Sequence, residues 1–239
     1  MSRLGYDLHI HSCLSPCGEE EMTPNNIVGM AQLLELGMIA VADHNTARQL
    51  PAIEQLAGEA GILLVPAIEV TTAEEAHVLS LFPDVPSALE MGELLYEALP
   101  PVKNRPDIFG TQVIMDAEDT PVGELDKLLI NATRLSIGEV FREVRALGGV
   151  PVPAHVDKSA YSVISSLGMI PPELEARTVE ISPQGIQRGF VLPEREKYRV
   201  ISDSDAHALE IMSMHSPCTM ELAECSVEAV LDYLRRGVG

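Results

Sequence analysis

The chain of 239 residues lacks tryptophan, has only four Phe and five Tyr, and carries 16 Lys and Arg against 36 Asp and Glu. The formal charge of −20 excludes a broad basic surface for wrapping nucleic acid or coating anionic lipid. The shortage of aromatic residues counts against a stacking platform, and therefore against processive work on long nucleic acid. A small anionic substrate is not excluded by these absences.

Cysteine and long apolar runs are also scarce. Four cysteines without a CxxC pair do not suggest a disulfide framework or a zinc knuckle, so we expect reduced thiols in a cytoplasm. No stretch approaches the roughly 18 uninterrupted apolar residues that a membrane helix needs. The first residues, MSRLGYDLHIHS, reach charge and histidine too early for a signal peptide. The sequence predicts a cytoplasmic protein without a membrane partner, and it does not predict an oligomeric state.

What the sequence does contain is an alternation of strand-like and helical segments. The predicted strands are 6–11, 38–42, 62–65, 76–82, 150–154, 178–181 and 198–202. Predicted helices begin at Thr23-Pro24, near Ala47, at Ser87, at the capping box of Ser136 and Glu139, and near Ser226. Such alternation is typical of βα units in the α/β class with a largely parallel sheet, and the number of strands favours a barrel over an open sheet. We expect one domain over residues 1–239.

Residues 84–135 break this rhythm. They contain a helical piece and then PPVKNRPDIFG with an acidic, irregular stretch. Because loops of this length are usually functional, we interpret the segment as an inserted lid or small subdomain. An ordinary long βα connection is the alternative.

Histidines and acids gather where the predicted strands end. Histidine occurs at 9, 11, 44, 77, 155, 207 and 215, and the first six lie at or just beyond a predicted strand end. The acids that do the same are Asp7, Asp43, Glu69, Asp203 and Asp205. The carboxyl ends of barrel strands converge on one face, where catalytic groups collect. So many imidazoles and carboxylates on one rim predict that several divalent cations bind there.

Each of these signals is weak alone. The two imidazoles of His9-x-His11 share one face of a strand, yet such a pair is common by chance. A carboxylate beside His44 often only orients or caps, and Glu69 reads equally well as a loop acid. His77 and His155 read equally well as satisfied buried histidines. The prediction of a shared metal site depends on their joint occurrence in one βα alternation.

Five motifs in order resemble those of the polymerase and histidinol phosphatase (PHP) superfamily. They are DLHIHS at 7–12, ADHN at 42–45, PAIEV at 66–70 with His77, PAH at 153–155 and SDSDAH at 202–207. The resemblance implies a distorted (β/α)7 barrel with two or three metal ions, usually Zn, Mn or Fe, and phosphoesterase activity. It implies that the first metal is held by His9, His11, Glu69 and Asp205. It implies that Glu69 bridges to a second metal on His77 and His155, and that His44 and His207 face a third.

The third site departs from the pattern of the superfamily. Many relatives place an acid or histidine shortly after the HxH motif, whereas this chain has Ser15-Pro16-Cys17-Gly18. Proline cannot ligate, but the thiolate of Cys17 suits zinc. A two-metal arrangement without Cys17 is the alternative. We interpret Asp7 and Asp43 as groups that orient the ligating imidazoles, because such imidazoles usually donate their other N–H to an acceptor. We interpret His215 as structural or exposed.

The expected chemistry is hydrolysis of a phosphate ester by a metal-activated water. Lys158, three residues after His155, is placed to reach the phosphate, and Arg105 would reach it if the insert folds over the site. Arg134 and Arg188 are weaker choices. The substrate is expected to be a nucleotide, a short oligonucleotide 5′ end or a small phosphomonoester such as histidinol phosphate, without an extended nucleic-acid groove. A non-catalytic, metal-stabilised module is the alternative from another class.

Overall fold

The structure, a computed structural model, describes residues 2–238 and is of mixed α/β type. The strands are β1 (Ser2–Ile10), β2 (Met38–Val41), β3 (Leu63–Leu64), β4 (Ala67–Thr71), β5 (His77–Leu81), β6 (Val113–Met115), β7 (Pro121–Glu124), β8 (Val150–Pro153), β9 (Thr178–Glu180), β10 (Arg199–Ile201) and β11 (Cys218–Leu222). The helices are α1 (Pro24–Leu33), α2 (Leu50–Ala60), α3 (Val85–Ala98), α4 (Pro106–Phe109), α5 (Ile137–Ala146), α6 (Val163–Leu167), α7 (Pro183–Gln187), α8 (Leu209–Met214) and α9 (Val227–Arg236). None of the helices in the described part of the chain is long and apolar enough to cross a membrane.

Within residues 2–238 the strands form four sheets, in the orders β11-β1-β2-β3, β4-β5-β8, β9-β10 and β6-β7. The predicted barrel is therefore not seen as one continuous sheet. Strands β1 and β2, β2 and β3, and β9 and β10 pair in parallel, as expected. The prediction of a largely parallel sheet is wrong for β11, which is antiparallel to β1, and for β5, which is antiparallel to both β4 and β8. Only residues 72–76 connect β4 to β5, and without a crossover helix two neighbouring strands form a hairpin.

Hydrogen bonds link three of these sheets edge to edge. The bonds from Glu69 N to Asp43 O (3.2 Å) and from Asn45 N to Glu69 O (3.0 Å) join β2 to β4. The bond from Val156 N to Glu180 O (2.9 Å) joins β8 to β9. The bond from His11 N to Ala206 O (2.8 Å) joins β1 to the segment after β10. Each link lies beside residues of the histidine-rich motifs. These motifs are therefore held by main-chain bonds between sheets.

Apolar residues on the strands alternate between two buried layers. Met38 and Ala40 pack with α9 residues in one cluster, whereas Ile39 and Val41 pack in the larger cluster with α1 and α2. This alternation follows from the period of two along a strand. With apolar side chains on both faces, the strands form a stiff support for the polar groups at their ends.

Several helix ends follow the sequence signals, whereas α2 begins at Leu50 and α3 at Val85, a few residues from the starts expected near Ala47 and at Ser87. Thr23 accepts a hydrogen bond from Asn26 N at the start of α1, and Ser136 and Glu139 form the expected capping box of α5. Gly61 ends α2 in the left-handed conformation that glycine adopts without a steric penalty. These caps satisfy backbone groups that the helices leave unpaired.

The segment 84–135 is better ordered than the sequence suggests. It contains α3, α4 and an antiparallel hairpin of β6 and β7. The turn of this hairpin lies on the start of α1, where the Asp119 carboxylate accepts bonds from Thr23 Oγ1 (2.7 Å) and Asn25 N (3.1 Å). The Gln49 side chain bonds to the backbone of Met115, the last residue of β6. The hairpin is thus attached to the main body in and beside its turn.

Candidate metal centre

The carboxylate of Glu69 lies at the centre of the histidine cluster and is almost fully buried. Its Oε1 is 2.8 Å from His77 Nδ1, 3.0 Å from His155 Nε2 and 3.3 Å from His9 Nε2. Its Oε2 is 3.1 Å from His44 Nδ1 and 3.3 Å from His11 Nε2. One buried carboxylate therefore contacts five imidazoles, which come from β1, β5 and the ends of β2 and β8.

Asp205 and His207, which follow β10, complete this cluster. We call the whole cluster the rim; it consists of His9, His11, His44, Glu69, His77, His155, Asp205 and His207. Asp205 Oδ1 lies 3.4 Å from His11 Nε2 and 3.7 Å from His9 Nε2. The ring of His207 stacks on that of His11, with centroids 4.1 Å apart and planes at 24°. Asp205 has a φ of 52°, in the left-handed region that Asp adopts more readily than most residues. The chain thus bends sharply where it delivers these two side chains.

His77 reaches the rim by a route that the sequence did not indicate. It was expected at or just beyond a strand end and near the start of the predicted strand 76–82, and it is the first residue of β5. Because β5 runs antiparallel to its neighbours, its beginning lies beside the carboxyl end of β4. In that register His77 pairs with Thr71, two residues from Glu69. The reversed strand therefore brings His77 to the same edge as the other histidines.

The rim has the properties of a site for divalent cations. Five buried imidazole nitrogens make no well-directed hydrogen bond within the described residues. Three of them, His9 Nε2, His11 Nε2 and His44 Nδ1, lie near Glu69 without such a bond, and the other two are His77 Nε2 and His155 Nδ1. An unpartnered buried polar atom is costly, so several together require an explanation such as an ion. Three sets of donor atoms each lie within 4.8 Å of one another: His9, His11, Glu69 and Asp205; His44, Glu69 and His77; and His11, Cys17, His44 and His207. Imidazole and carboxylate donors suit zinc, iron or manganese, and a thiolate donor suits zinc.

Charge inside the rim is distributed unevenly. Burial opposes ionisation of Glu69, but the surrounding imidazoles, His77 first, outweigh it and hold the pKa of Glu69 well below its ordinary value. Burial also disfavours the charged form of His11, but the nearby carboxylates of Asp205 and Glu69 raise its pKa to about 9. Burial lowers the pKa of His207 to about 4, and the charge of His11 acts in the same direction. A binding cation must therefore displace protons from some imidazoles, whereas others are already neutral.

Glu180, a residue that sequence reasoning missed, orients His9. Its Oε1 lies 2.9 Å from His9 Nδ1, and its Oε2 accepts a hydrogen bond of 2.8 Å from His155 N. Both oxygens of its buried carboxylate therefore form hydrogen bonds with residues of the rim. The available signal was an acid between Val179 and Ile181 in the predicted strand 178–181, since a buried acid requires a partner.

The two acids predicted to orient imidazoles contact other groups. Asp43 accepts hydrogen bonds from Ser12 and from Ser15 Oγ (2.8 Å), and Ser15 Oγ lies 3.1 Å from His11 Nδ1. Asp43 therefore reaches His11 through a serine. Asp7 accepts a bond from Ser204 N (3.1 Å), so it fixes backbone beside the rim.

Cys17 lies with the third set of donors. A Cβ added at Gly18 would come within 2.2 Å of Ser12 O, so the glycine permits the tight turn that folds Cys17 back beside the HxH motif. Burial, Glu69 and Asp205 all raise the pKa of the Cys17 thiol. The thiol is therefore neutral unless a cation stabilises the thiolate.

The two basic residues predicted for the phosphate differ in placement. Lys158 Nζ donates a hydrogen bond to Asp205 Oδ2, and its side chain is 40% exposed at the rim. Burial lowers the pKa of Lys158, but Asp205 outweighs it and raises the pKa above its ordinary value. Among the described residues, the ion pair of Arg105 is with Asp107 of its own turn, and its side chain is 62% exposed. The structure therefore gives no support to Arg105 as a group at the rim.

The comparison of sequences finds one partial relative. A stretch of 78 residues, 32% of this chain, is 31% identical to the 5′-3′ exoribonuclease Rnm of Salmonella typhimurium. This match covers 26% of the exoribonuclease, so the likeness concerns about a quarter of that protein. No protein-family model matches the chain.

Solved structures share the fold over almost the whole chain. The lesion-specific endonuclease Q of Pyrococcus furiosus aligns with all of this chain and 57% of its own, at a TM-score of 0.65 and 18% identity. A candidate metal-dependent phosphoesterase of Bifidobacterium adolescentis aligns over 99% of this chain and 97% of its own, at a TM-score of 0.61 and 22% identity. The ordered motifs, the rim around Glu69 and this shared fold together confirm that the chain resembles the polymerase and histidinol phosphatase superfamily.

Proposed function

We propose that the chain is a metal-dependent phosphoesterase. The observation that carries the proposal is the buried Glu69 carboxylate, which five imidazoles contact through nitrogens at 2.8–3.3 Å. A merely structural cluster would not leave so many buried imidazole nitrogens without a well-directed hydrogen bond. The likeness to a candidate metal-dependent phosphoesterase and to two nucleases supports the same reaction class.

Two or three divalent ions, Zn, Mn or Fe, would occupy the rim. The first would bind His9, His11, Glu69 and Asp205. The second would bind His77 and His155, with Glu69 bridging it to the first ion. His44, like His11, contacts the other carboxylate oxygen of Glu69, Oε2. The third would bind His44 and His207 with Cys17. Ions held in this way activate water and stabilise the charge that develops on a phosphoryl oxygen.

The side chains of the rim supply positioning and charge. Lys158 would exchange its bond to Asp205 for a phosphate oxygen, since an ammonium binds either anion. Glu180 holds the imidazole of His9 through Nδ1 and leaves Nε2 free to ligate. Ser15, held by Asp43, does the same for His11. Arg105, paired with Asp107, stays a prediction from the sequence and is not used in this proposal.

We also propose that the strands form a distorted barrel in a single domain, with residues 84–135 inserted as a small subdomain. The hydrogen bonds that link β2 to β4, β8 to β9 and the segment after β10 to β1 support a closed circuit. The hairpin of β6 and β7 pairs with none of the other described strands, in agreement with an insert.

The substrate class that fits best is a nucleotide, a short oligonucleotide 5′ end or another small phosphoester. The chain's charge of −20 opposes a long nucleic acid, but cations at the rim would attract a phosphate locally. One relative is named as a 5′-3′ exoribonuclease and one structural neighbour as an endonuclease. Both names are compatible with phosphodiester substrates.

A phosphoester panel tests the proposal. The purified protein, with its metal content determined by elemental analysis, is assayed on p-nitrophenyl phosphate and bis-p-nitrophenyl phosphate with added Zn²⁺, Mn²⁺ or Fe²⁺. We expect metal-dependent turnover, and we expect Glu69→Ala to lose both turnover and bound metal because Glu69 serves two ions. Glu173→Ala, at an exposed acid, is the control. Bound metal without turnover of any ester would favour a non-catalytic, metal-stabilised module instead.

A further inference from the structure

The ring of Tyr161 lies at the mouth of the rim. It stacks on the imidazole of His77, with centroids 5.1 Å apart and planes at 23°. The residue is 52% exposed, so much of the ring faces solvent. Among the residues that the structure describes, every other Phe and Tyr is buried or only partly exposed. The exposed aromatic ring of this aromatic-poor chain is thus placed against a candidate metal ligand.

The backbone holds Tyr161 firmly in an unusual conformation. Its φ is 56°, which is uncommon for a bulky residue without local compensation. The carbonyl of Tyr161 accepts a hydrogen bond of 3.0 Å from His77 N, so the residue is tied to the start of β5. Such conformations persist where the surroundings enforce them, and they concentrate at functional sites.

The rest of the loop is equally constrained. Lys158 N donates to His155 O at 2.9 Å, and Ser162 Oγ donates to Lys158 O at 2.7 Å. One tight loop therefore presents the ammonium of Lys158 and, three residues later, the ring of Tyr161. Both groups are oriented in advance, which reduces the entropy lost when a ligand binds.

We propose that Tyr161 is a specificity-determining residue on which the base of a nucleotide stacks while its phosphate lies at the rim. This inference rests on the proposed function and names its substrate class as phosphoesters that carry a nucleobase. Bases stack on aromatic rings whatever their identity, so the ring would favour nucleotides over base-free phosphates without selecting one base. A single ring limits the recognition to one base, in agreement with short substrates.

Calorimetric titration tests the inference without turnover. The metal-loaded protein is titrated with the phosphonate analogues of AMP and of ribose 5-phosphate, in which CH₂ replaces the ester oxygen and prevents hydrolysis. We expect the AMP analogue to bind about five- to 150-fold more tightly than the base-free analogue. Tyr161→Ala should abolish this preference, and Tyr161→Phe should retain it because the ring remains. Met169→Ala, at an exposed apolar residue beside a small cavity lined by no histidine, is the control.

Three results would overturn the inference. They are equal affinity of the two analogues for the wild-type protein, no binding of either, and a preference that survives in Tyr161→Ala. Loss of bound metal in Tyr161→Ala with the preference intact would instead assign the ring to shielding His77. The proposed function is judged separately by the nitrophenyl phosphate panel, so a phosphoesterase without base preference is distinguishable from a protein with no turnover.

Discussion

Single residues at the rim are arranged around shared acceptors. The Glu69 carboxylate contacts five imidazoles, and the Glu180 carboxylate binds the side chain of His9 and the backbone N–H of His155. Removing either acid therefore affects several donors at once. The sequence could predict Glu69, because it lies in a motif, but it did not indicate Glu180, whose partners come from distant strands.

Glu180→Gln should weaken the site without unfolding the protein. The amide has nearly the same size as the carboxylate, but it cannot act as a charged acceptor for His9 Nδ1. Loss of such an orienting partner typically costs about 10- to 100-fold in metal affinity or activity. Competition with a chelating dye measures the affinity, and Glu173→Gln at an exposed acid is the control. Unaltered affinity and activity would show that His9 needs no orienting carboxylate.

Cys17→Ser should remove one metal ion per chain. The set of His11, Cys17, His44 and His207 would lose its thiolate, and a hydroxyl is a poor replacement for zinc. Elemental analysis of the purified variant gives the stoichiometry. Cys225→Ser, at an exposed free cysteine, should leave it unchanged. If Cys17→Ser retains the full metal content, the two-metal arrangement without a thiolate is correct.

At the scale of elements, local signals predicted helices better than strand pairing. The caps at Thr23 and Ser136 depend on residues three positions apart, and both predictions are confirmed. Strand β4 was not predicted, because Pro66 precedes it and Glu69 lies in its middle. The direction of β5 depends on the short connection at 72–76, which periodicity does not report.

The hairpin of β6 and β7 is attached mainly by its turn. Asp119 has a φ of 58°, so Asp119→Gly removes the carboxylate bonds to Thr23 and Asn25 without adding backbone strain. We expect a loss of about 1 kcal/mol and a thermal midpoint lower by about 2–4 °C. Proteolysis between residues 110 and 125 should also accelerate. Glu118→Ala, in the same turn, is the control, and equal midpoints for the two variants would refute the attachment.

At the scale of the whole molecule, the alternation of strand-like and helical segments was enough to predict the fold class. The α/β class is confirmed, and the antiparallel β5 and β11 are the corrections. The order of sheets around the rim depends on contacts between residues far apart in sequence, such as those of His11 with Ala206. No local pattern encodes such contacts, so only the motif resemblance indicated them. The cytoplasmic location stays a prediction.

Removing metal should destabilise the entire chain. The proposed ligands come from segments distributed between β1 and the end of β10, so ions that bind only the folded state would stabilise all of them together. An ion at 100 times its dissociation constant contributes about 2.7 kcal/mol, which corresponds to a fall of about 5–10 °C on chelation. Thermal unfolding with and without chelator measures the shift. Identical midpoints, after metal has been shown to leave, would contradict the assignment of the rim.

The hairpin of β4 and β5 also bears on the order in which the chain folds. Its strands are close in sequence, whereas β1 must find the segment after β10 across most of the chain. Local pairings form early because less loop-closure entropy opposes them. We therefore expect the amide of Ser80, which faces β4, to gain protection from hydrogen exchange before that of His11 during refolding. Glu69 and His77 would then meet in an early intermediate, and a metal captured there would guide later folding steps.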